Sequence, residues 1–117
     1  MREGEHDLQV TCVQLFRWKH RELAGLLFAI PNGGQRNAVV AAKLKAEGVT
    51  AGVPDLFLAV MRGGYGGLFV EMKNGKAGRV SDAQAAKIEE LRAEGYKVEI
   101  CRNSREFEEV VENYLRM

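Results

Sequence analysis

The sequence predicts an α/β domain in which helices flank a mixed central sheet, with the element order α-β-α-β-β-α-β-α. Three observations support this prediction: helical periodicity near both ends of the chain, two apolar runs separated by a glycine-rich turn, and residues that cap helices between the apolar runs. The chain has 117 residues, of which 46% are hydrophobic and 28% are charged, as in one globular domain. We therefore expect one domain over residues 1–117.

The first half of the chain predicts a helix, a strand and a second helix. From Glu5 to about Arg21, apolar residues recur at helical spacing, so one face of this helix is expected to be buried. Leu26 to Ile30 is a short apolar run that ends at a Pro-Asn-Gly-Gly turn, which is typical of a strand. Asn37 is expected to cap an alanine-rich helix whose Val40 and Leu44 face inward.

The second half predicts a hairpin, a helix, a strand and a last helix. Asp55 to Met61 is nearly all apolar, as in a central strand, and Leu68 to Lys73 follows after a loop with four glycines, so we expect an antiparallel pair. Ser81 followed by Gln84 predicts a capping box, and Lys97 to Cys101 predicts a strand before a strongly amphipathic helix. Strands linked through helices are expected to be parallel.

Composition and charge exclude some classes of protein. The net charge is +1, from 17 basic and 16 acidic residues, so it neither demands nor excludes an anionic partner. The longest apolar run, Leu23 to Ile30, is well short of the roughly 20 residues of a membrane helix. The alternating charges at the start do not resemble a secretion signal. We therefore expect a cytoplasmic protein without a membrane partner.

Three carboxylates occupy positions where a core would favour apolar side chains. Asp55 begins its predicted strand directly after Pro54, and Glu71 lies on the paired strand, so the two acids can converge at one end of the hairpin. Glu5 lies on the buried stripe of the first helix. Because uncompensated buried carboxylates are costly, this convergence predicts a cation, and oxygen ligands suit Mg²⁺ or Mn²⁺.

Lys73 lies two residues after Glu71 on the same face of the strand, which would place an ammonium beside the cation. A metal with a lysine suits phosphodiester hydrolysis, in which the lysine stabilises developing charge or orients the attacking water. A role as general base stays open. Each feature also has a structural interpretation: Pro-Asp as a turn, Glu-x-Lys as a surface ion pair, and Gln84 as a helix cap.

Five blocks of residues, in order from the first helix to the last strand, carry a resemblance to a known family. The blocks are Glu5 with Gln9, Ile30 to Gly34 with Arg36, Gly52 with Pro54 to Leu56, Glu71 with Lys73, and Ser81 with Gln84. Together they resemble the VRR-NUC (virus-type replication-repair nuclease) domain of the PD-(D/E)xK nuclease superfamily, in the stand-alone form common in phages and prophages. The resemblance implies a restriction-endonuclease-like fold in the cytoplasm of a bacterial host.

The resemblance also implies an activity and roles for individual residues. The protein would be a Mg²⁺- or Mn²⁺-dependent endonuclease that cuts branched or four-way DNA in replication, recombination or packaging, without a small-molecule cofactor. Asp55, Glu71 and the backbone carbonyl of Met72 would bind the metal, and Glu5 would bind it directly or through water. Lys73 would be the catalytic lysine. The trailing polar residue of the site would be Gln84.

DNA is expected to be bound through its backbone rather than read by sequence, because no aromatic run or recognition-helix pattern is present. The resemblance assigns the turn after the first strand to the phosphates, and basic residues flank the proposed site. These DNA-binding residues are Asn32, Gly33, Arg36, Lys43, Lys76 and Arg79. A branched DNA must be held on two arms and cut on two strands, so we expect a two-fold homodimer. Its interface is expected to include Val10, Val13, Trp18, Tyr114, Leu115 and Met117.

Two other functions stay open. The chain could be a catalytically inactive DNA-binding module of the same fold, although a binding module gains nothing from buried acids that face phosphate. It could instead be a structural or partner-binding domain that uses its last helix as an interaction surface. Core packing explains that helix equally well.

Overall fold

The computed structural model describes residues 2–31 and 37–117. Three of the residues expected to bind DNA, Asn32, Gly33 and Arg36, lie outside the described residues.

The described elements follow the predicted order, which confirms the α/β fold class. The helices are α1 (Arg2–Lys19), α2 (Ala38–Ala46), α3 (Asp82–Ala93) and α4 (Ser104–Leu115), and the strands are β1 (Leu27–Ala29), β2 (Leu56–Leu58), β3 (Leu68–Met72) and β4 (Lys97–Cys101). A 3-10 helix at Arg21–Leu26, which the sequence did not predict, joins α1 to β1. Strand β2 is shorter than the predicted Asp55 to Met61. Among the described residues, no helix is long and apolar enough to cross a membrane.

The sheet has the order β1-β2-β3-β4: β2 runs antiparallel to both β1 and β3, and β4 runs parallel to β3. The antiparallel hairpin and the parallel last strand agree with the sequence prediction. The prediction was wrong for β1 and β2, which α2 links but which run antiparallel. A connecting helix that packs back onto the sheet favours parallel strands. Helix α2 has no buried residue, so it does not form a packed crossover of this kind.

The main core lies on the sheet face covered by α1 and α4. It is built from apolar residues of these two helices and of all four strands, including Cys12, Phe16, Leu27, Leu56, Leu58, Leu68, Val70, Met72, Cys101, Phe107, Val111 and Tyr114. Helix α3 lies on the opposite face and buries Ile88. The expected inward packing of Val40 and Leu44 was wrong: Val40 is exposed and Leu44 is only half-buried, because α2 lies at the periphery.

The strand register places the acidic residues at one end of the sheet. Leu56 of β2 pairs with Val70 of β3, so Asp55, directly before β2, lies beside the end of β3 that carries Glu71. The Asp55 carbonyl also accepts a hydrogen bond from the Ile30 N–H at 2.8 Å, which ties the start of β2 to β1. The glycine-rich loop that joins β2 to β3 lies at the opposite end, as the sequence predicts.

Candidate active site

Asp55 is held at the end of the sheet by the backbone of β3. Its Oδ2 accepts a hydrogen bond from the Met72 N–H at 2.7 Å. The N–H and C=O of a residue in an antiparallel strand point to the same neighbour, so the Met72 carbonyl also faces β2. The residue in register there is Pro54, which has no N–H to donate. This proline therefore leaves the Met72 carbonyl without a ladder donor, beside the Asp55 carboxylate.

Glu71 is the most deeply buried acid among the described residues, with 2% of its surface exposed. Its Oε2 accepts a hydrogen bond from Gln84 Nε2 at 3.0 Å and lies 3.4 Å from Lys73 Nζ. Its Oε1 is also buried, and no N–H or hydroxyl group among the described residues donates a hydrogen bond to it. The Asp55 and Glu71 carboxyl groups interact directly with each other. Buried polar atoms of native proteins almost always have a partner. A buried carboxylate oxygen without a donor is therefore what we expect where a cation binds.

Lys73 is buried as well, with 7% of its surface exposed. Its ammonium faces the Glu71 carboxylate, as expected from their shared face of β3. The interpretation of Glu-x-Lys as a surface ion pair was therefore wrong, because both partners are inaccessible to solvent. A buried lysine beside a carboxylate pair is typical of a reactive site.

Gln84 belongs both to the cap of α3 and to this cluster. Its Oε1 accepts from the Ser81 N–H at 2.9 Å, and its own N–H donates to Ser81 Oγ at 3.1 Å, which completes the predicted capping box. The other end of the amide, Nε2, donates to Glu71. The interpretation of Gln84 as a helix cap is confirmed, and the cap fixes the orientation in which the amide reaches Glu71.

Burial raises the pKa values of both acids, and the charge of Asp55 raises the pKa of Glu71 further. Desolvation is the main cause for Asp55, opposed by the hydrogen bond from the Met72 N–H and reinforced by the nearby charge of Glu5. For Glu71, desolvation and then the Asp55 charge raise the pKa to about 8, although the Lys73 ammonium lowers it. Both carboxyl groups are therefore hard to ionise together unless a further positive charge is present.

This shift predicts how the stability of the metal-free protein depends on pH. The pKa of Glu71 is 4.5 ordinarily and about 8 in the folded chain, so the folded state holds a proton that the unfolded state has lost. Stability is then full below about pH 4.5 and falls as the pH rises toward 8. We expect a lower melting temperature at pH 8.5 than at pH 6 in chelator. Glu71→Gln should flatten this dependence; an unchanged slope in that variant would contradict the assignment.

Glu5 lies on α1, half-buried, and acts on Asp55 through its charge. Within residues 2–31 and 37–117, no three His, Cys, Asp or Glu side chains form a group that could hold a metal ion. The structure thus brings Asp55 and Glu71 together and leaves Glu5 further away. Mg²⁺ commonly uses one or two carboxylates and keeps several waters, so two acids with the Met72 carbonyl fit such an ion.

The basic residues expected to bind DNA are accessible where they are described. Lys76 and Arg79 are exposed in the loop that follows β3, a few residues after Lys73. Lys43 is exposed on α2. All three groups are thus accessible, and Lys76 and Arg79 lie within a few residues of Lys73, as contacts to a DNA backbone near the acidic cluster would require.

Two glycines have roles that sequence reasoning missed. Gly52 has φ +88, and a Cβ there would lie 2.5 Å from the Ala83 carbonyl oxygen, so only glycine lets the loop before Asp55 approach the first turn of α3. A Cβ on Gly4 would likewise collide with the Asn74 side-chain amide, just after Lys73. The Gly-x-Pro-Asp spacing could have indicated the first contact. Nothing in the periodicity indicates the second, since Gly4 lies inside a helix.

Comparison with known families agrees with this geometry. The model of the VRR-NUC domain matches residues 2–105. The chain belongs to the VRR-NUC family. A search of curated proteins found no match to this VRR-NUC chain.

Two solved structures are similar to this VRR-NUC protein. One, described as a VRR_NUC domain protein, is 28% identical, has a TM-score of 0.85, and the match covers 97% of this chain and 88% of the other. The second, described as a VRR_NUC domain, is 22% identical with a TM-score of 0.62, and the match covers 95% and 97% of the two chains. The fold is therefore restriction-endonuclease-like, with a nuclease-type architecture.

Proposed function

We propose that this VRR-NUC protein is a Mg²⁺- or Mn²⁺-dependent endonuclease that hydrolyses DNA phosphodiester bonds. The observation that carries the proposal is the buried Oε1 of Glu71, which receives no N–H or hydroxyl hydrogen bond from the described residues and belongs to a carboxyl group that contacts that of Asp55. A divalent cation would balance the negative charges of the two carboxylates. Asp55, Glu71 and the Met72 carbonyl would hold it, and Glu5 would contribute through an intervening water.

The residues around the cation would divide the remaining tasks. A bound Mg²⁺ or Mn²⁺ supplies positive charge at the reacting phosphodiester. Lys73 donates hydrogen bonds that orient the attacking water and stabilise the charge that develops on the phosphate oxygens. Gln84 holds the Glu71 carboxylate in the orientation that faces the cation, since its amide donates to Oε2 and leaves Oε1 available.

We propose that the substrate is branched DNA, held through its backbone by Lys43, Lys76 and Arg79 together with Asn32, Gly33 and Arg36. The exposure of the first three residues supports this assignment. Incubation with linear, flap and four-way DNA of the same sequence, with Mg²⁺, Mn²⁺ or chelator, tests it. We expect metal-dependent products, with the branched substrates cut faster than the linear duplex. Equal rates on all three would contradict the choice of substrate.

The alternative, a catalytically inactive DNA-binding module, is disfavoured by the buried cluster itself. Such a module would keep a buried and a half-buried carboxylate and a buried ammonium at a cost in stability, without a reaction that uses them. We further propose that the protein acts in the cytoplasm of a bacterial cell and that residues 1–117 form one domain, in keeping with the stand-alone phage type that its motifs resemble.

We propose that the active species is a two-fold homodimer, with a smaller interface than the sequence suggested. Tyr114 was wrongly included in it: its ring is fully buried and its hydroxyl donates to the Val60 carbonyl at 2.6 Å. Val10, Trp18 and Met117 remain exposed at 40%, 70% and 50%. Sedimentation at micromolar concentration should give a dimer that Trp18→Glu weakens. A monomer that cuts both strands of a junction in one binding event would contradict the proposal.

A further inference from the structure

The loop that follows Lys73 is tied down by a single arginine, Arg102, at the end of β4. Its Nη1 donates to the Gly75 carbonyl at 2.8 Å and to the Gly78 carbonyl at 2.5 Å. The Gly75 N–H donates in return to the Arg102 carbonyl at 3.3 Å. Both sides of the turn are thus bound to one guanidinium, by hydrogen bonds that its charge strengthens.

The far side of this loop packs against the aliphatic stem of Lys73. A Cβ built on Gly78 would lie 3.0 Å from Lys73 Cβ and 3.4 Å from Lys73 Cδ, so the Gly78 backbone packs closely against the stem and a larger residue would need the stem to shift. The loop thus covers the stem of Lys73, which is 7% exposed, and the ammonium lies 3.4 Å from Glu71 Oε2.

Arg102 is itself anchored. Its backbone N–H donates to the Glu106 Oε1 atom at 2.7 Å. Glu106 lies in the first turn of α4, and its own N–H is capped by the side chain of Asn103. Within residues 2–31 and 37–117, the guanidinium of Arg102 forms no ion pair, and its hydrogen bonds go to backbone carbonyls. The Arg102 guanidinium thus binds the protein's own backbone, whereas the side chain of Lys76, in the loop that Arg102 holds, is exposed to solvent.

We infer that Arg102 is a positioning residue for Lys73: it fixes the loop at residues 74–78 over the lysine stem and so directs the ammonium to the reacting phosphate. The inference rests on the proposed nuclease function for the reaction, and on the contacts above for the positioning. Sequence reasoning missed Arg102 because it lies about 30 residues after Lys73, outside every motif block.

Kinetics of three variants test the role in the reaction. Arg102→Ala should lower kcat about tenfold or more with KM changed less than about twofold, because a displaced group costs rate more than binding. Arg102→Lys should recover part of kcat, since an ammonium can donate to both carbonyls. Arg92→Ala is the matched control: Arg92 Nη2 donates to the Val98 carbonyl at 2.8 Å, on the other side of β4, and its loss should leave kcat unchanged.

A second measurement separates this inference from the proposed function. Acetylation of lysines in the metal-free, DNA-free protein, followed by peptide mass spectrometry, reports whether Lys73 is covered. In Arg102→Ala, Lys73 should be modified several-fold faster, while the exposed Lys45 keeps its wild-type rate. If the wild type cuts no DNA but Lys73 is uncovered in this variant, the positioning stands and the nuclease proposal fails.

Two results would overturn the inference. One is wild-type kcat in Arg102→Ala together with wild-type protection of Lys73. The other is a loss of DNA affinity with kcat unchanged, which would make Arg102 a phosphate contact. If Arg102→Ala does not fold, Arg102→Met decides, because methionine keeps an aliphatic stem but cannot donate to the carbonyls: the inference requires lower kcat and faster Lys73 acetylation in it, and wild-type values for both would overturn it.

Discussion

Replacement of Lys73 by methionine should lower the cleavage rate by about two to four orders of magnitude while DNA affinity stays almost unchanged. The ammonium is buried and faces the Glu71 carboxylate, so it is directed at the reacting group rather than at the flanking backbone. Methionine has a similar stem and keeps the packing against the loop. Single-turnover cleavage with Mg²⁺, and filter binding with Ca²⁺ in its place, measure the two quantities separately.

Lys76→Ala is the matched control for this prediction. Lys76 is exposed in the same loop, so its loss should weaken DNA binding and reduce the dependence of affinity on salt, with little change in the single-turnover rate. Arg36→Ala should behave in the same way. Equal losses of affinity in all three variants would contradict the division between a lysine that acts on the reaction and basic residues that hold the backbone.

Asp55→Asn and Glu71→Gln should each abolish metal-dependent cleavage. Each change is nearly isosteric and removes one of the charges that would hold the cation, while the surrounding hydrogen bonds can largely be kept. In chelator at pH 8.5, both variants should melt at or above the wild-type temperature, because Asp55→Asn removes the charge that raises the Glu71 pKa and Glu71→Gln removes the carboxyl group that burial makes hard to ionise. Cleavage assays and thermal melting under the same buffer conditions check the two effects together.

Glu99→Gln controls for the removal of an acid from the same sheet. Glu99 of β4 pairs with Lys97 at 2.8 Å, and 34% of its side chain is accessible. Lys97 and solvent therefore compensate its charge without a metal ion. This variant should cleave DNA at the wild-type rate and should not gain stability at high pH. Wild-type cleavage by either Asp55→Asn or Glu71→Gln would show that the acidic cluster is not the reactive site.

Much of the fold could be predicted because its signals are local. The caps at Asn37 and Ser81 and the spacing of apolar residues in α4 each depend on a few neighbouring residues, and each matched the structure. The acidic pair of the site could be predicted for a similar reason. Pro54 and Asp55 lie at the start of one strand and Glu71 lies on its hairpin partner, so the pairing of these two strands is enough to bring the acids together.

The features that were missed depend on contacts between distant parts of the chain. The antiparallel pairing of β1 with β2 follows from how weakly α2 packs, which its alanine-rich sequence does not reveal. Gly4 and Asn74 meet across the site, and Arg102 reaches back to the loop after Lys73. No periodicity or short motif links such pairs, because their spacing in the sequence is set by the tertiary fold.

The most direct test of the central claim is Mn²⁺ binding to the DNA-free protein, measured by titration calorimetry for the wild type and Glu71→Gln at about pH 7. The orphaned Glu71 oxygen and the raised carboxyl pKa values predict that the wild type binds Mn²⁺ with release of protons, and that Glu71→Gln binds it at least about tenfold more weakly. Equal Mn²⁺ affinity in the two proteins, or no binding by the wild type, would contradict the account.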